Sequence, residues 1–238
     1  MPFDYATIPV GYYDALFHRG RGVQSQWHRL KFARFRRAMG GYRRHLDIGC
    51  GPGTLIGSLG VEHESTGIDL AAGQIDYATA RYAAPQRRFQ VTEAGTTLPF
   101  ADASFDVITL VELVEHLPEA EIISLLREST RLLRPQGRLL LSTPDYGGPW
   151  PLIEALVNRL GPVDYSEQHI TRFNQARLQA LLAQIPGLST EPLTRYMGLA
   201  PFLAAISWSL SQKVADWPPP TWINGRIGLL LFAVATKT

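Results

Sequence analysis

Glu112, Glu115 and His116 stand where the apolar run FDVITLV gives way to polar residues. Two carboxylates and an imidazole make a mixed oxygen and nitrogen donor set, suited to Mg, Mn, Zn or Fe in the divalent state. The same groups could serve as general acid and base. A third reading gives them no chemistry: the glutamates are solvated or pair with arginines, and His116 caps the following helix. A second set lies in HLDIGCGPG, residues 45–53. Gly49, Gly51 and Gly53 allow a tight turn and close approach of backbone to a ligand, with Cys50 between them. The spacing is G-x-G-x-G, not the G-x-G-x-x-G of dinucleotide binders. Asp47 would repel a pyrophosphate there and would suit an ammonium group. Asp69, followed by Leu70, ends the next strand-like stretch about twenty residues on, where a carboxylate can accept ribose hydroxyl hydrogens.

These residues need a scaffold that gathers them at one edge. The stretches HLDIG (45–49), STGIDL (65–70), FQVTE (89–93), FDVITLV (105–111) and RLLLSTP (138–144) read as strands. Helical patterns intervene from TLIGSL, through AGQIDYATARYA, to the amphipathic 119–134, which Pro135-Gln136-Gly137 ends. Such alternation with short links predicts an α/β fold, a parallel sheet with helices on both faces, and ligands at the carboxyl ends of the strands. Further on, TEPLTRYM reads as strand six and 227–237 as a last strand. Near the start, Trp27, Leu30, Phe32, Phe35 and Met39 give a helix over 23–39 one broad apolar face.

With 238 residues, 45% apolar and 18% charged, the chain can bury a sizeable core. Its single cysteine excludes an internal disulfide and a cysteine-based zinc cluster, which fits a reducing, cytoplasmic setting. The start, MPFDYATIPVGYYD, lacks a charged region followed by an apolar core, so no signal peptide is expected, and no run approaches a membrane span. Net charge is only +2, yet Arg19 to Arg44 holds nine Lys or Arg and no acid. That segment reads as a solvated face, a phosphate-binding surface for RNA, or a dock for anionic lipid.

HLDIGCGPG, GIDL, LPFADASFDVITLVELVEHL and LLRPQGRLLLSTP resemble the successive motifs of class I S-adenosylmethionine-dependent methyltransferases, over roughly residues 45–145. The resemblance implies a Rossmann-like seven-stranded sheet, mostly parallel with an antiparallel last strand, and S-adenosyl-L-methionine as cofactor. It assigns cofactor contacts to Asp47, Gly49, Cys50, Gly51, Gly53, Asp69, Leu70 and Val111. Glu93 replaces the Asp that the family often has near the adenine. Glu-x-x-Glu-His after strand four resembles the ubiquinone-pathway O-methyltransferases and the RNA 3'-terminal 2'-O-methyltransferases. In the latter a further histidine completes a metal set, and His169 in YSEQHITRF stands in a comparable place. The expected metal ligands are therefore Glu112, Glu115, His116 and His169, holding Mg, Mn or Zn. Without a metal, His116 or His169 is the expected general base.

The expected organisation is an N-terminal helical cap, 1–42, and a methyltransferase domain, 43–238, with lid insertions about 145–172 and 198–224. In the first lid, Trp150, Ile153, Leu156, Val157 and Leu160 recur at helical spacing. The second, apolar and rich in Trp, packs as a lid or makes a peripheral membrane contact. Tyr12, Tyr13, Trp27, His28 or Lys31 is expected to reach the site from the cap, with Lys31 counted among the cofactor contacts. The expected reaction is O-methylation of a small apolar, aromatic, glycan or lipid acceptor. RNA 2'-O-methylation is the alternative, disfavoured by the near-zero net charge, and a non-catalytic cofactor-binding module is a third. No protein partner is indicated.

Overall fold

The computed structural model describes residues 8–93, 95, 97–160, 168–216 and 228–238. Part of each expected lid (161–167 and 217–224) and the side chains of Val157 and Leu160 lie outside the described residues. Two helices come first, α1 (Tyr12–His18) and α2 (Gly22–Met39). Strand and helix then alternate: β1 (Arg44–Ile48), α3 (Thr54–Gly57), β2 (Glu64–Asp69), α4 (Ala72–Tyr82), β3 (Arg87–Val91) and β4 (Phe105–Val111). A single 3-10 turn, Val114–His116, leads to α5 (Glu119–Leu132), β5 (Leu133–Pro144), α6 (Trp150–Leu160) and α7 (Gln175–Leu182). The chain ends through β6 (Leu188–Thr190), β7 (Thr194–Tyr196), α8 (Ala200–Leu203), α9 (Trp208–Asp216) and β8 (Leu230–Lys237).

The sheet runs β3-β2-β1-β4-β5-β8-β6, with β7 also on β8. The pairs from β3 to β5 are parallel, and β8 runs against its neighbours. The expected seven positions are present, but the sixth is filled by two short strands. Pro192 explains the split. It lacks an N–H for the ladder, and four chain steps from Thr190 to Thr194 face three steps of β8, from Ala235 to Phe232. Order reverses between β1 and β4, so the crevice for a ligand opens at their carboxyl ends.

Burial on both faces explains the continuous apolar strands. Leu139 and Leu141 join the core made with α5 and α7, through Ile122, Leu126 and Leu178, while Leu140 between them joins Phe32, Phe35 and Met39 of α2. Phe35 is fully buried edge-on to Phe232, with ring centroids 5.0 Å apart. Truncating such a ring to Ala costs about 3–5 kcal/mol. The expected face of α2 is buried, Trp27 and Leu30 only in part. On α6, Ile153 packs inward but Leu156 is 52% exposed, so the expected apolar face is narrower than its spacing implied.

Candidate functional site

At the end of β1, Gly49, Gly51 and Gly53 all have left-handed φ values, 73°, 51° and 73°. A Cβ on Gly53 would strike Phe89 and Ala78, whereas one on Gly51 would meet nothing within 4 Å. The loop thus packs tightly at its third glycine and opens onto a cavity at its second. Asp69 fixes the opening: its Oδ2 accepts the Gly51 N–H at 2.7 Å and its Oδ1 the Ala71 N–H at 2.9 Å. Burial raises its carboxyl above the usual range, opposed by these amides. Leu70, Val111 and the exposed Glu93 line the cavity, as does Cys50, whose sulfur packs near Gly67 of β2. Burial raises the Cys50 thiol well above its ordinary value.

Asp47 is 2% exposed and its Oδ1 accepts the Thr109 hydroxyl at 2.5 Å. Burial pushes its carboxyl up to about 7, with the Thr109 bond opposing and the charge of Asp69 adding. Thr109 also touches Nε2 of the fully buried His45 at 2.8 Å.

The opposite half of the cavity begins at Val111. Glu112 follows with φ of 50°, rare for a residue with a Cβ, and turns its side chain to Lys31 of α2. Lys31 Nζ lies 2.6 Å from Glu112 Oε2, with the lysine side chain 6% exposed. Of the four expected metal ligands only Glu115, His116 and His169 converge, with one ligand atom of each within 4.8 Å of the others. Glu112 is outside that group because Lys31 holds it. Lys31, expected on the cofactor, has its ammonium on Glu112 instead, although it lines the same cavity.

Glu115 is 1% exposed; burial and then the charge of Glu112 push its carboxyl up to about 8. His116 Nδ1 lies 2.9 Å from the Gln168 carbonyl oxygen and must donate to it, so Nε2 carries the lone pair. Burial lowers this imidazole to about 4, which keeps it neutral at pH 7. That hydrogen bond also shows that His116 does not cap α5. His169 Nδ1 meets Glu154 Oε1 and the Tyr146 hydroxyl, each at 2.6 Å, and donates to the carboxylate, which selects the same tautomer. Burial lowers His169 as well, against the charge of Glu154. The two rings stand 5.2 Å apart. Thr171 binds the segment in place, its N–H donating to Glu115 O at 3.0 Å and its hydroxyl to Leu117 O at 2.6 Å.

Both halves line one cavity of about 600 Å³, whose apolar wall includes Trp27, Phe32, Trp150, Ile153 and Phe202. Tyr13 and His28 also reach it, while Tyr12 does not line it. Sequence reading missed His45 and Thr109, although His45 and Asp47, two apart on a strand, share a face. It missed Tyr146 and Glu154 because only the fold brings them to His169. It also missed Asp14 of α1, which is buried and accepts from Thr54 and Tyr77, each at 2.9 Å, and from Tyr82.

Residues 46–141 match the methyltransferase domain family. The ubiquinone biosynthesis O-methyltransferase of Paracidovorax citrulli is 29% identical over 174 residues, 66% of this chain and 71% of that protein. Its namesake in Pseudomonas aeruginosa is 30% identical over 154 residues, 59% of this chain and 63% of that one, short of two thirds of its length. A SAM-dependent methyltransferase structure from Archaeoglobus fulgidus superposes with a TM-score of 0.62 at 17% identity, covering 88% of this chain and 94% of that one. The sheet order, the glycine loop closed by Asp69 and these matches identify a methyltransferase domain over residues 46–141, similar to those of S-adenosylmethionine-dependent methyltransferases.

Proposed function

We propose that the protein transfers the methyl group of S-adenosylmethionine to a hydroxyl oxygen of a small apolar or aromatic acceptor. The observation that carries this reading is the convergence of Glu115, His116 and His169 across the cavity from the glycine loop. In the reaction the acceptor oxygen attacks the methyl carbon, the carbon–sulfur bond breaks to a neutral thioether, and the hydroxyl proton leaves. His116 and His169, neutral and with Nε2 basic, are placed to take that proton. Asp47 holds the ammonium of the cofactor and Asp69 its ribose, while Trp27 and Trp150, with ring centroids 5.8 Å apart, bound an apolar acceptor.

The three converging residues also fit a divalent ion. Glu115 Oε2 is buried with no hydrogen-bond partner among the described residues, and both imidazoles are oriented through Nδ1 as metal ligands are. When bound, such an ion supplies Lewis acidity that lowers the pKa of the acceptor hydroxyl. Lys31 then keeps the neighbouring Glu112 neutralised, and Glu154 fixes the His169 ring.

The RNA reading is not favoured, because three of the five basic side chains of α2 are spent within the fold, leaving Arg36 and Arg37 exposed. Lys31 binds Glu112, Arg29 donates to Phe17 O, and Arg34 lies on Phe232 and bonds Thr194. Among the described residues no helix is long and apolar enough to cross a membrane. Leu199, Ile206 and Leu210 around α8 and α9 are exposed, which supports a peripheral contact for delivery of a lipid acceptor. The test is transfer from methyl-labelled cofactor into a lipid and small-phenol extract and, separately, into RNA. Label in the first that is lost in His169→Ala supports the proposal; label only in RNA overturns it. Full activity in EDTA with negligible bound metal would remove the ion and leave the imidazole base.

A further inference from the structure

An apolar sheet face carries one buried polar line beneath the glycine loop. His45 and Asp47 alternate with Leu46 and Ile48 on β1, so both turn away from the α5 core. Parallel register sets Ser65 of β2 beside His45 and Thr109 of β4 beside Asp47. Ser65, His45, Asp47 and Thr109 are all at least 97% buried. The line runs Ser65 Oγ to His45 Nδ1 at 3.3 Å, His45 Nε2 to Thr109 Oγ1 at 2.8 Å, and Thr109 Oγ1 to Asp47 Oδ1 at 2.5 Å.

Proton counting gives the line a direction. Asp47 can only accept when ionised, so the single Thr109 proton goes to it. Thr109 must then accept from His45 Nε2–H, which leaves Nδ1 to accept the Ser65 hydroxyl. Burial depresses His45 to about 3, so the ring stays neutral in this tautomer across the working range. Every donor points toward Asp47, and the chain crosses three strands to occupy one of its two oxygens.

We propose that Thr109 and His45 are positioning residues for the amino-acid end of S-adenosylmethionine, acting through Asp47 by fixing Oδ1 and turning Oδ2 to the ammonium. This rests on Asp47 being the ammonium's partner. The charged and titratable groups facing Asp47 from its surroundings are Asp69 on β2 and the Cys50 thiol, with His45 on its own strand. Since burial holds the Asp47 carboxyl near 7 in the unliganded protein, it must lose a proton to receive the ammonium at lower pH. Affinity for the cofactor therefore falls as pH drops through that range, and removing the Thr109 bond, which opposes the shift, moves the midpoint up.

The experiment titrates full-length protein with S-adenosylmethionine and with 5'-methylthioadenosine, which lacks the amino-acid end, from pH 5.5 to 8.5 by calorimetry. Thr109→Val is expected to weaken the first about tenfold at pH 7.5, raise its pH midpoint and leave the second unchanged, with Thr109→Ser restoring wild type. His45→Leu is expected to weaken it about threefold, and it carries the comparison if Thr109→Val does not fold. Equal weakening of both compounds would mark a merely structural role and overturn the proposal. So would wild-type affinity and midpoint in Thr109→Val while Asp47→Asn loses affinity. If Asp47→Asn itself binds S-adenosylmethionine normally, it is the reading of Asp47 that fails.

Discussion

The glycine-loop half of the cavity is built mainly by two neighbouring chain segments, the half around Glu115, His116 and His169 by five distant ones. In the first half, left-handed glycines, backbone amides and Asp69 define the surface, fixed to β1 or β2. Across the cavity, side chains from α2, the turn after β4, α6, the 168–171 segment and α8 meet, and Lys31–Glu112 spans 81 positions of sequence. Backbone-made sites tolerate little change in the loop itself, whereas side-chain-made sites depend on how helices are seated. One half is therefore constrained by its own loop and the other adjustable through the seating of its helices.

Substitutions should separate the halves, and the largest effect belongs to chemistry. His169→Ala or Glu115→Gln is expected to lower turnover about 10²–10⁴-fold with cofactor affinity unchanged in calorimetry. A matching loss of cofactor affinity would mean that the halves are not independent. Next is Lys31→Met, which strands Glu112 beside Glu115. Loss of one partner of a buried pair costs on the order of 3 kcal/mol, and Glu112→Gln in the same chain should recover most of it in urea unfolding. Asp14→Ala removes the acceptor for Thr54, Tyr77 and Tyr82, and should cost about 1–3 kcal/mol and speed hydrogen exchange in α1. On the donor side, Gly51→Ala should cost about 1 kcal/mol from its φ alone. Gly53→Ala, which adds the clash with Phe89 and Ala78, should cost more; equal melting temperatures would refute the packing distinction. The last effect is a linkage: the raised Asp47 carboxyl contributes stability below its unfolded range near 4 that is lost as pH rises through about 7. The thermal shift given by cofactor should grow over the same interval.

What could be read from sequence divides along the same line. The glycine loop and Asp69 were legible because their contacts are local and their residue types have few other uses at that spacing. Glu112 was misread for the opposite reason: next to Glu115 and His116 in sequence, it is turned away by its left-handed backbone toward a lysine that no spacing rule connects to it. Leu156 fits a helical stripe but faces outward, since α6 packs on the sheet's edge through a narrower face. Pro192 lies in the expected sixth strand, which reads as unbroken in the sequence, and its missing donor is what interrupts the ladder. His45 passed as a core residue, which it is, and its polar reach depended on Thr109 arriving from β4.

The stitch between Thr171 and the turn at Glu115 and Leu117 bears on how such an enzyme can diversify. It anchors the downstream histidine to the upstream one without using the chain between Glu154 and Gln168. Insertions, deletions and new sequence in that interval can accumulate while the two imidazoles keep their spacing. Length and sequence there can then drift between lineages with the two rings held in register, an evolutionary freedom secured by two hydrogen bonds from one threonine.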